Sequence, residues 1–337
     1  MLLKKIVLVS LGLSGLFFVT FSPASQSEGS YQQGELSFTT YLDGLKQQGR
    51  EAGVSEKTLN IAFSQMKLFK KAVINDENKA LPEKFAEYLP ESVPETLVEQ
   101  SRALFKAHKE EFERLGKQYG VQPRFVLALW GLTSHLGEDV GDYPALSVIA
   151  SNGYGAKRNA LDRIDFIAGL KWLDRSKAEF NQLRSNWKGE LGYPHFSVEE
   201  FARYGVDGNQ DGQIDIWQDL HDAFASTANY LSQQGWDEKS TWGRQVQVPA
   251  NIDSELSGLE IHKTFDEWQA IGVRRFDGSD LPNRSDMQVS LIMPDGVNGR
   301  KYLVYDNYRI LSQRYASAYF VLSLTYLSER IKYPEIQ

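Results

Sequence analysis

Apolar positions recur at helical spacing over most of the chain. They begin with Phe38, Tyr41, Leu42 and Leu45, whose three- and four-residue steps predict an amphipathic helix. A second short helix follows Ser55, a capping residue three positions before Thr58. Pro82, Pro90 and Pro94 then break the chain into short pieces. From Glu95 to Tyr119 the pattern predicts one long charged helix, with Leu97, Leu104, Phe105, Phe112 and Leu115 on its apolar face and Gly120 as its stop. The next helix starts at Pro123, a favoured first-turn residue, and runs to about Gly137. Phe125, Val126, Leu127, Ala128, Leu129, Trp130 and Leu132 leave it no polar face, so it is expected in the middle of the lobe. Its last turn, around Thr133 to Glu138, is then a rigid platform of the kind that suits a catalytic group.

Another amphipathic helix follows Asp162 through Phe166, Leu170 and Leu173. Trp187 to Phe201 reads as loop-rich, and Leu220, Phe224, Ala228 and Leu231 form one face of a helix closed by Gly235. Val289, Leu291 and Met293 alternate before Pro294-Asp295-Gly296 and the apolar run Tyr302 to Tyr305, which predicts a β-hairpin. The last helix is expected to carry Tyr315, Tyr319, Leu322 and Tyr326. The fold class is therefore mainly α (α+β), with a small β element and no internal repeat.

The first residues change the picture. Lys4 and Lys5 precede an uncharged apolar run from Ile6 to Phe21 and the small residues Ser22, Pro23 and Ala24, the three-part pattern of a cleaved secretory signal over residues 1–24. A membrane anchor would need roughly 20 apolar residues. The polar stretch 25–34 reads as a mobile lead-in, 35–332 as the main domain and 333–337 as a tail. The chain has no cysteine, which excludes a lipoprotein acyl site and disulfides. Cleavage would remove two lysines and move the formal charge from −7 to −9. That balance argues against nucleic acid, whose phosphates call for clustered Lys and Arg.

One local motif stands out. Asp207, Asn209 and Asp211 place side-chain oxygens at positions 1, 3 and 5 of a loop with Gly212 at 6 and Ile214 at 8, the spacing that converges on calcium. Gln213 and Asp222 complete the candidate ligand set, because Gln218 stands where a bidentate Glu would close the site. The same residues also fit an Asx-rich turn that holds no metal.

The order of Phe125–Pro144, Asn186–Phe196, the loop from Asp207 and the ending Tyr302–Ile331 resembles the lytic murein transglycosylase B family over residues 36–332. The resemblance implies a lysozyme-like core, an additional α-helical lobe and a small β-containing part with a calcium loop. It further implies cleavage of the MurNAc–GlcNAc bond of peptidoglycan without water, by one glutamate that protonates the leaving oxygen and then takes a proton from the sugar's 6-hydroxyl. In the family that glutamate lies in a Gly-apolar-Glu-Ser/Thr stretch ending the buried helix. Here Gly131-Leu132-Thr133-Ser134 puts Thr133 at its position. A hydroxyl cannot supply the proton that a tuned carboxyl does, and general acid catalysis is worth roughly 10²–10⁴-fold.

Two further departures fall on the same cleft. The family's Gly-Ala-Met-Gly followed by Gln-x-Gln-Phe-Met-Pro-Ser is replaced by Gly189-Glu190-Leu191-Gly192-Tyr193-Pro194-His195-Phe196-Ser197, and its aromatic-Asn-x-Ser by Arg314-Tyr315-Ala316-Ser317. Glu190 is the candidate displaced acid; Tyr193, His195, Tyr315 and Ser317 are the candidate glycan-binding residues. Neither His135 nor His195 has the neighbours of a zinc site. The expected function is peptidoglycan binding in the periplasm without lysis. The alternatives are a working transglycosylase using Glu190 and a scaffold for cell-wall enzymes with a sealed cleft. The expected partners are peptidoglycan glycan strands, with cell-wall enzymes as a second class.

Overall fold

The computed structural model describes residues 37–71, 82–154 and 160–332. The expected signal, lead-in and tail lie outside them, and no helix among the described residues is long and apolar enough to cross a membrane.

Thirteen α-helices of the described residues surround one principal core. The first two, α1 (Phe38–Glu51) and α2 (Glu56–Gln65), follow the predicted periodicity, and Ser55 caps α2 by accepting the Thr58 N–H. Pro90 does not break the chain as expected; it sits inside α3 (Phe85–Ser92). The helix predicted over Glu95–Tyr119 is two helices, α4 (Glu95–Ala107) and α5 (Lys109–Tyr119), parted at His108. No Gly or Pro marks that break. It lets Phe105 stack on Phe112 at 5.2 Å while Phe112 meets Phe224 at 4.5 Å, a gain of tertiary aromatic contact over helical continuity. Gly120 then ends α5 at φ 65°, a left-handed turn that needs glycine.

Helix α6 (Pro123–Ser134) is the axis of the fold. Its side chains are buried on all sides, with Phe125, Leu127 and Ala128 at 0% exposure. It packs against α4, α5, α10 (Leu220–Gln233) and α13 (Ala318–Lys332). The remaining helices are α7 (Ala145–Tyr154), α8 (Ala160–Ser176), α9 (Val198–Tyr204), α11 (Phe265–Ile271) and α12 (Asp306–Arg314). Helix α9 starts inside the stretch read as loop-rich, on a capping box between Ser197 and Glu200. Tyr315, expected in the last helix, instead caps α12 and lies in the link to α13.

The β part is larger than a hairpin. The expected pair, β6 (Gln288–Ile292) and β7 (Tyr302–Val304), is antiparallel with Leu291 opposite Leu303. It sits within a five-stranded sheet of order β4-β6-β7-β3-β5, completed by β3 (Gly243–Gln247), β4 (Lys263–Thr264) and β5 (Arg274–Arg275). A separate two-stranded ladder joins β1 (Tyr143–Pro144) to β2 (Arg184–Ser185). The larger sheet has its own apolar layer around the fully buried Trp268, whose indole N–H donates to the Val289 carbonyl at 3.0 Å.

Asp295, in the β6–β7 connection, ties the sheet to the helices. Its carboxylate accepts the Phe85 N–H at 2.9 and 3.1 Å and the Tyr319 hydroxyl. Replacing it by alanine strands an N–H at the start of α3. Asp295→Ala is expected to lower unfolding free energy by about 1–3 kcal/mol, measured by urea titration. An unchanged midpoint would show that the tie carries no stability.

Candidate functional site

Helix α6 ends abruptly. His135 and Leu136 adopt left-handed φ of 51° and 57°, and Gly137 follows at 97°. Non-glycine residues in that region are strained. A Cβ on Gly137 would stand 2.5 Å from the Tyr193 ring, so that ring fixes a glycine here. Tyr193 also meets Trp130 edge-on at 5.3 Å. Thr133 lies beneath: its hydroxyl donates to the Leu129 carbonyl at 2.9 Å, with the Tyr193 carbonyl at 3.3 Å. The last turn of the buried helix thus presents a hydroxyl engaged with main chain, under an aromatic lid.

Beside it the segment Asn186–Phe196 folds back on itself through a Leu191–Phe196 bridge. Asn186 organises the turn, accepting the Lys188 and Glu190 N–H groups at 2.9 and 3.1 Å and donating to the Glu190 carboxylate at 2.8 Å. Glu190 stands 3.4 Å from His195 Nδ1, while His195 Nε2 donates to the Asp139 carbonyl at 2.6 Å. Both ring nitrogens therefore face acceptors. Burial alone would lower the His195 pKa, yet the Glu190 carboxylate and the Asp139 carbonyl outweigh it and raise it. For Glu190, burial pushes upward, but the hydrogen bonds from His195 and Asn186 prevail and hold the carboxyl below its usual range.

Arg314 forms the back of the same cleft. It donates to the Glu200 carboxylate, to the His195 carbonyl at 2.8 Å and to the Tyr315 hydroxyl at 2.8 Å. Its guanidinium lies 5.5, 5.2 and 5.3 Å from the rings of Phe196, Tyr230 and Tyr315. Burial lifts the Tyr315 hydroxyl to about 12, so it stays neutral. The cleft encloses about 590 Å³, with Asp165, Glu190, His195, Glu200, Tyr230, Arg314 and Tyr315 on its walls. Asp165 differs from Glu190, because desolvation dominates there and raises its pKa.

Of the residues singled out from sequence, Glu190, His195 and Tyr315 share this cleft. Thr133 and Tyr193 stand beside it at the end of α6, off its wall. Ser317 is elsewhere, accepting the Phe320 N–H at 3.3 Å at the start of α13. The sequence reading missed Asp165, Glu200 and Tyr230. Only Glu200 carried a local signal, the Ser-x-x-Glu capping box; the others meet the site from residues far apart in the chain.

The acidic loop lies apart from the cleft walls. Asp207 accepts the Asp211 and Gly212 N–H groups at 3.1 and 2.8 Å, and Asn209 and Asp211 accept the Asp211 and Gln213 N–H groups, each at 2.9 Å. Asp222, expected to supply the missing carboxylate, is buried at the base of the loop. Its two oxygens accept the Gly208 and Asp215 N–H groups at 2.7 and 2.6 Å. Asp219 also reaches an expected ligand, its Oδ2 accepting from the Asn209 amide at 2.8 Å. Calcium takes 6–8 oxygens and usually a bidentate carboxylate. Among the described residues no three His, Cys, Asp or Glu side chains converge for a metal.

A buried helix ending on a sugar-sized cleft, with a small sheet at one side, is the layout of a lysozyme-like glycan-processing protein. The model of the transglycosylase SLT domain matches residues 37–329, and the chain belongs to that family of lytic murein transglycosylases. Membrane-bound lytic murein transglycosylase B of Escherichia coli (strain K12) is 23% identical over 249 residues, 71% of this chain and 65% of that protein. The chain thus spans about two thirds of that relative's length. The crystal structure of SltB3 from Pseudomonas aeruginosa in complex with NAG-anhNAM-pentapeptide matches with TM-score 0.81 at 30% identity, covering 88% of this chain and 80% of that one. Escherichia coli Slt35 in complex with calcium shares the fold, with TM-score 0.73 at 19% identity over 88% of this chain and 92% of that one.

The lowered Glu190 pKa contributes stability above the unfolded carboxyl pKa of about 4.3, and the raised His195 pKa contributes below the unfolded imidazole value of about 6.5. The pair is therefore worth most between those values. Glu190→Gln is expected to destabilise most near pH 5.5, less in alkali where His195 is neutral, and least in acid where Glu190 is itself protonated, as read from urea midpoints; a pH-independent loss would rule the pairing out. For the loop, Asp222→Ala should cost about 1–3 kcal/mol by stranding buried N–H groups. EDTA and millimolar calcium should leave the wild-type melting temperature within about 2 °C of each other. A larger calcium-dependent rise would mean that the loop rearranges around the ion.

Proposed function

We propose that the chain binds peptidoglycan glycan strands in the periplasm and does not cut them by its family's route. The reading is carried by the hydroxyl of Thr133, which occupies the family's catalytic position and is turned into the main chain at Leu129. The apolar run Ile6–Phe21 supports export to that compartment.

Glu190 is a poor substitute acid. A general acid must hold its proton at working pH, and the His195 and Asn186 hydrogen bonds keep Glu190 ionised. Its partnership with His195 suits a polar wall for sugar hydroxyls instead. Tyr230 and Tyr315 add rings to the same cleft. A second reading, residual lysis with a displaced acid, is favoured by one observation only. Asp165 is a cleft carboxyl whose pKa is raised, the direction an acid needs.

Purified protein incubated with intact sacculi is expected to sediment with them and to release no 1,6-anhydro-muropeptides, followed by chromatography and mass spectrometry. Release by the wild type would overturn the non-lytic reading. Loss of that release in Asp165→Asn but not in Glu190→Gln would assign the acid to Asp165. Protein that stays in the supernatant would refute glycan binding.

A further inference from the structure

Strand β3 lies inside the five-stranded sheet, between β7 and β5. Beyond β5 the chain turns back on itself, the Arg275 N–H donating to the Ser279 carbonyl at 2.9 Å. The Phe276 carbonyl accepts from the Gln247 side chain at 2.6 Å, which holds that turn close to β3. Along this flank two cavities adjoin, of about 700 and 490 Å³, with Arg244, Phe265, Pro282 and Tyr305 as their common border. Their other walls differ in kind. Trp242, Val246, Leu281 and Leu303, all buried, line the larger one, and Phe276 stands on its rim at 62% exposure. The smaller is cationic, with Arg124, Lys239, Arg284 and Lys332 against Glu238 alone.

The border between the two is a cluster of hydrogen-bond donors. By strand alternation Arg244 stands on the face of β3 that carries Val246, so it leaves the sheet at the margin of the apolar layer. Arg244 hydrogen-bonds to the buried Tyr305 hydroxyl, with the Arg275 and Arg284 guanidiniums close by. Arginine only donates, so this bond uses the Tyr305 oxygen and leaves its proton for an acceptor. Burial outweighs the three cations and pushes the hydroxyl up, which keeps that proton in place. The neighbouring carboxylates are engaged elsewhere. Glu329 pairs with Arg124 at 2.5 Å and Asp286 with Arg284 at 2.7 Å, while Asp277 accepts the Ser279 N–H and hydroxyl at 3.0 and 2.6 Å. Among the described residues no carboxylate forms an ion pair with Arg244 or Arg275. In a chain of formal charge −7, this flank is therefore where an anion is drawn.

We propose that the two cavities form one site for an anionic amphiphile, a phosphate monoester with a hydrocarbon body. Arg244 of β3, Arg275 of β5 and the hydroxyl of Tyr305, just after β7, bind the phosphate where the cavities meet. Guanidinium forks take phosphate oxygens in pairs, and donors brought by three elements suit a tetrahedral group. The hydrocarbon lies along Trp242, Phe265 and Leu281 in the larger cavity, with Phe276 at its mouth. An apolar pocket with a few placed polar groups is the usual form of a small-molecule site. Free phosphate fills only the cationic part, and an uncharged chain leaves the donors without an acceptor. None of these residues lines the glycan-binding cleft.

The probe is n-decyl phosphate, titrated below its micellar concentration into the full chain by isothermal calorimetry, beside inorganic phosphate and decyltrimethylammonium. Decyl phosphate is expected to bind once per chain and at least about tenfold more tightly than either. Arg244→Gln with Arg275→Gln should weaken it by about tenfold or more. Tyr305→Phe keeps the ring against Phe265 and should weaken it by about three- to tenfold. Sedimentation with sacculi should be unchanged in each variant. The comparison of the three compounds needs no change in the protein, so it holds even where a variant fails to fold. Absence of decyl phosphate binding, equally tight binding of inorganic phosphate or of decyltrimethylammonium, or full affinity in the double arginine variant would each overturn the proposal. Capture on phosphatidylglycerol vesicles without binding of monomeric decyl phosphate would overturn it too, because the flank would then read a bilayer surface.

Discussion

The enclosure of α6 by four other helices is the constraint on which the rest depends. A helix with no solvent face cannot rotate or slide without opening cavities among its neighbours, and each buried methylene lost from such a core is felt. Its one buried charge, Arg124 near the first turn, is matched by Glu329 on α13, which adds a second reason for fixed register. The position of the last turn is therefore set by packing along the whole length of the helix. Whatever residue stands at position 133 is presented at the same place beside the cleft.

Within the cleft, charges come in partnered sets. Arg314 is matched by Glu200 and His195 by Glu190, and the His195 carbonyl joins the two sets by accepting from Arg314. Removing one member of a buried pair leaves an uncompensated charge, which costs far more than the pair itself contributes. The walls therefore behave as one electrostatic unit rather than as separate residues. A carboxyl embedded in such a unit is favoured in its ionised form, and the Glu190 pKa is lowered accordingly. Asp165 lies on the same cleft under a different dominant influence, desolvation, so one cavity contains carboxyls pushed in opposite directions.

How much of this was legible in the sequence depended on how local the cause was. Helix α6 could be read because the absence of a polar face, Pro123 at its start and Gly120 before it are all local signals. The break at His108 could not, since neither Gly nor Pro marks it and the Phe224 ring that Phe112 meets is more than a hundred residues away. Strands β4 and β5 are two residues each, too short for any alternation to show, so only the β6–β7 pair of the sheet was visible. In the cleft, the replaced motif pointed to Glu190, His195 and Tyr315, but Asp165 and Tyr230 arrive from α8 and α10 with no spacing to announce them. The loop spacing marked Asp207, Asn209 and Asp211, whose side-chain oxygens accept N–H groups within the loop. It could not say that the Asp222 oxygens accept the Gly208 and Asp215 N–H groups.

The threonine at the end of α6 also has a consequence for stability. A carboxylate in the last turn of a helix faces the negative end of the helix dipole and the partly buried platform around Trp130, both of which disfavour the charged form. That is useful for an acid and unfavourable for folding. A threonine hydroxyl removes the conflict, because it carries no charge and spends its one proton on the Leu129 carbonyl inside its own helix. Ser134 does the same with the Trp130 carbonyl at 3.0 Å and then accepts the Gly137 N–H at 3.1 Å, fastening the left-handed turn. Together these bonds make the end of α6 a closed hydrogen-bonded turn. The cleft walls built by Arg314, Glu200, His195 and Glu190 are held by a separate set of hydrogen bonds and ion pairs. The helix end and the cleft are therefore fixed independently of one another.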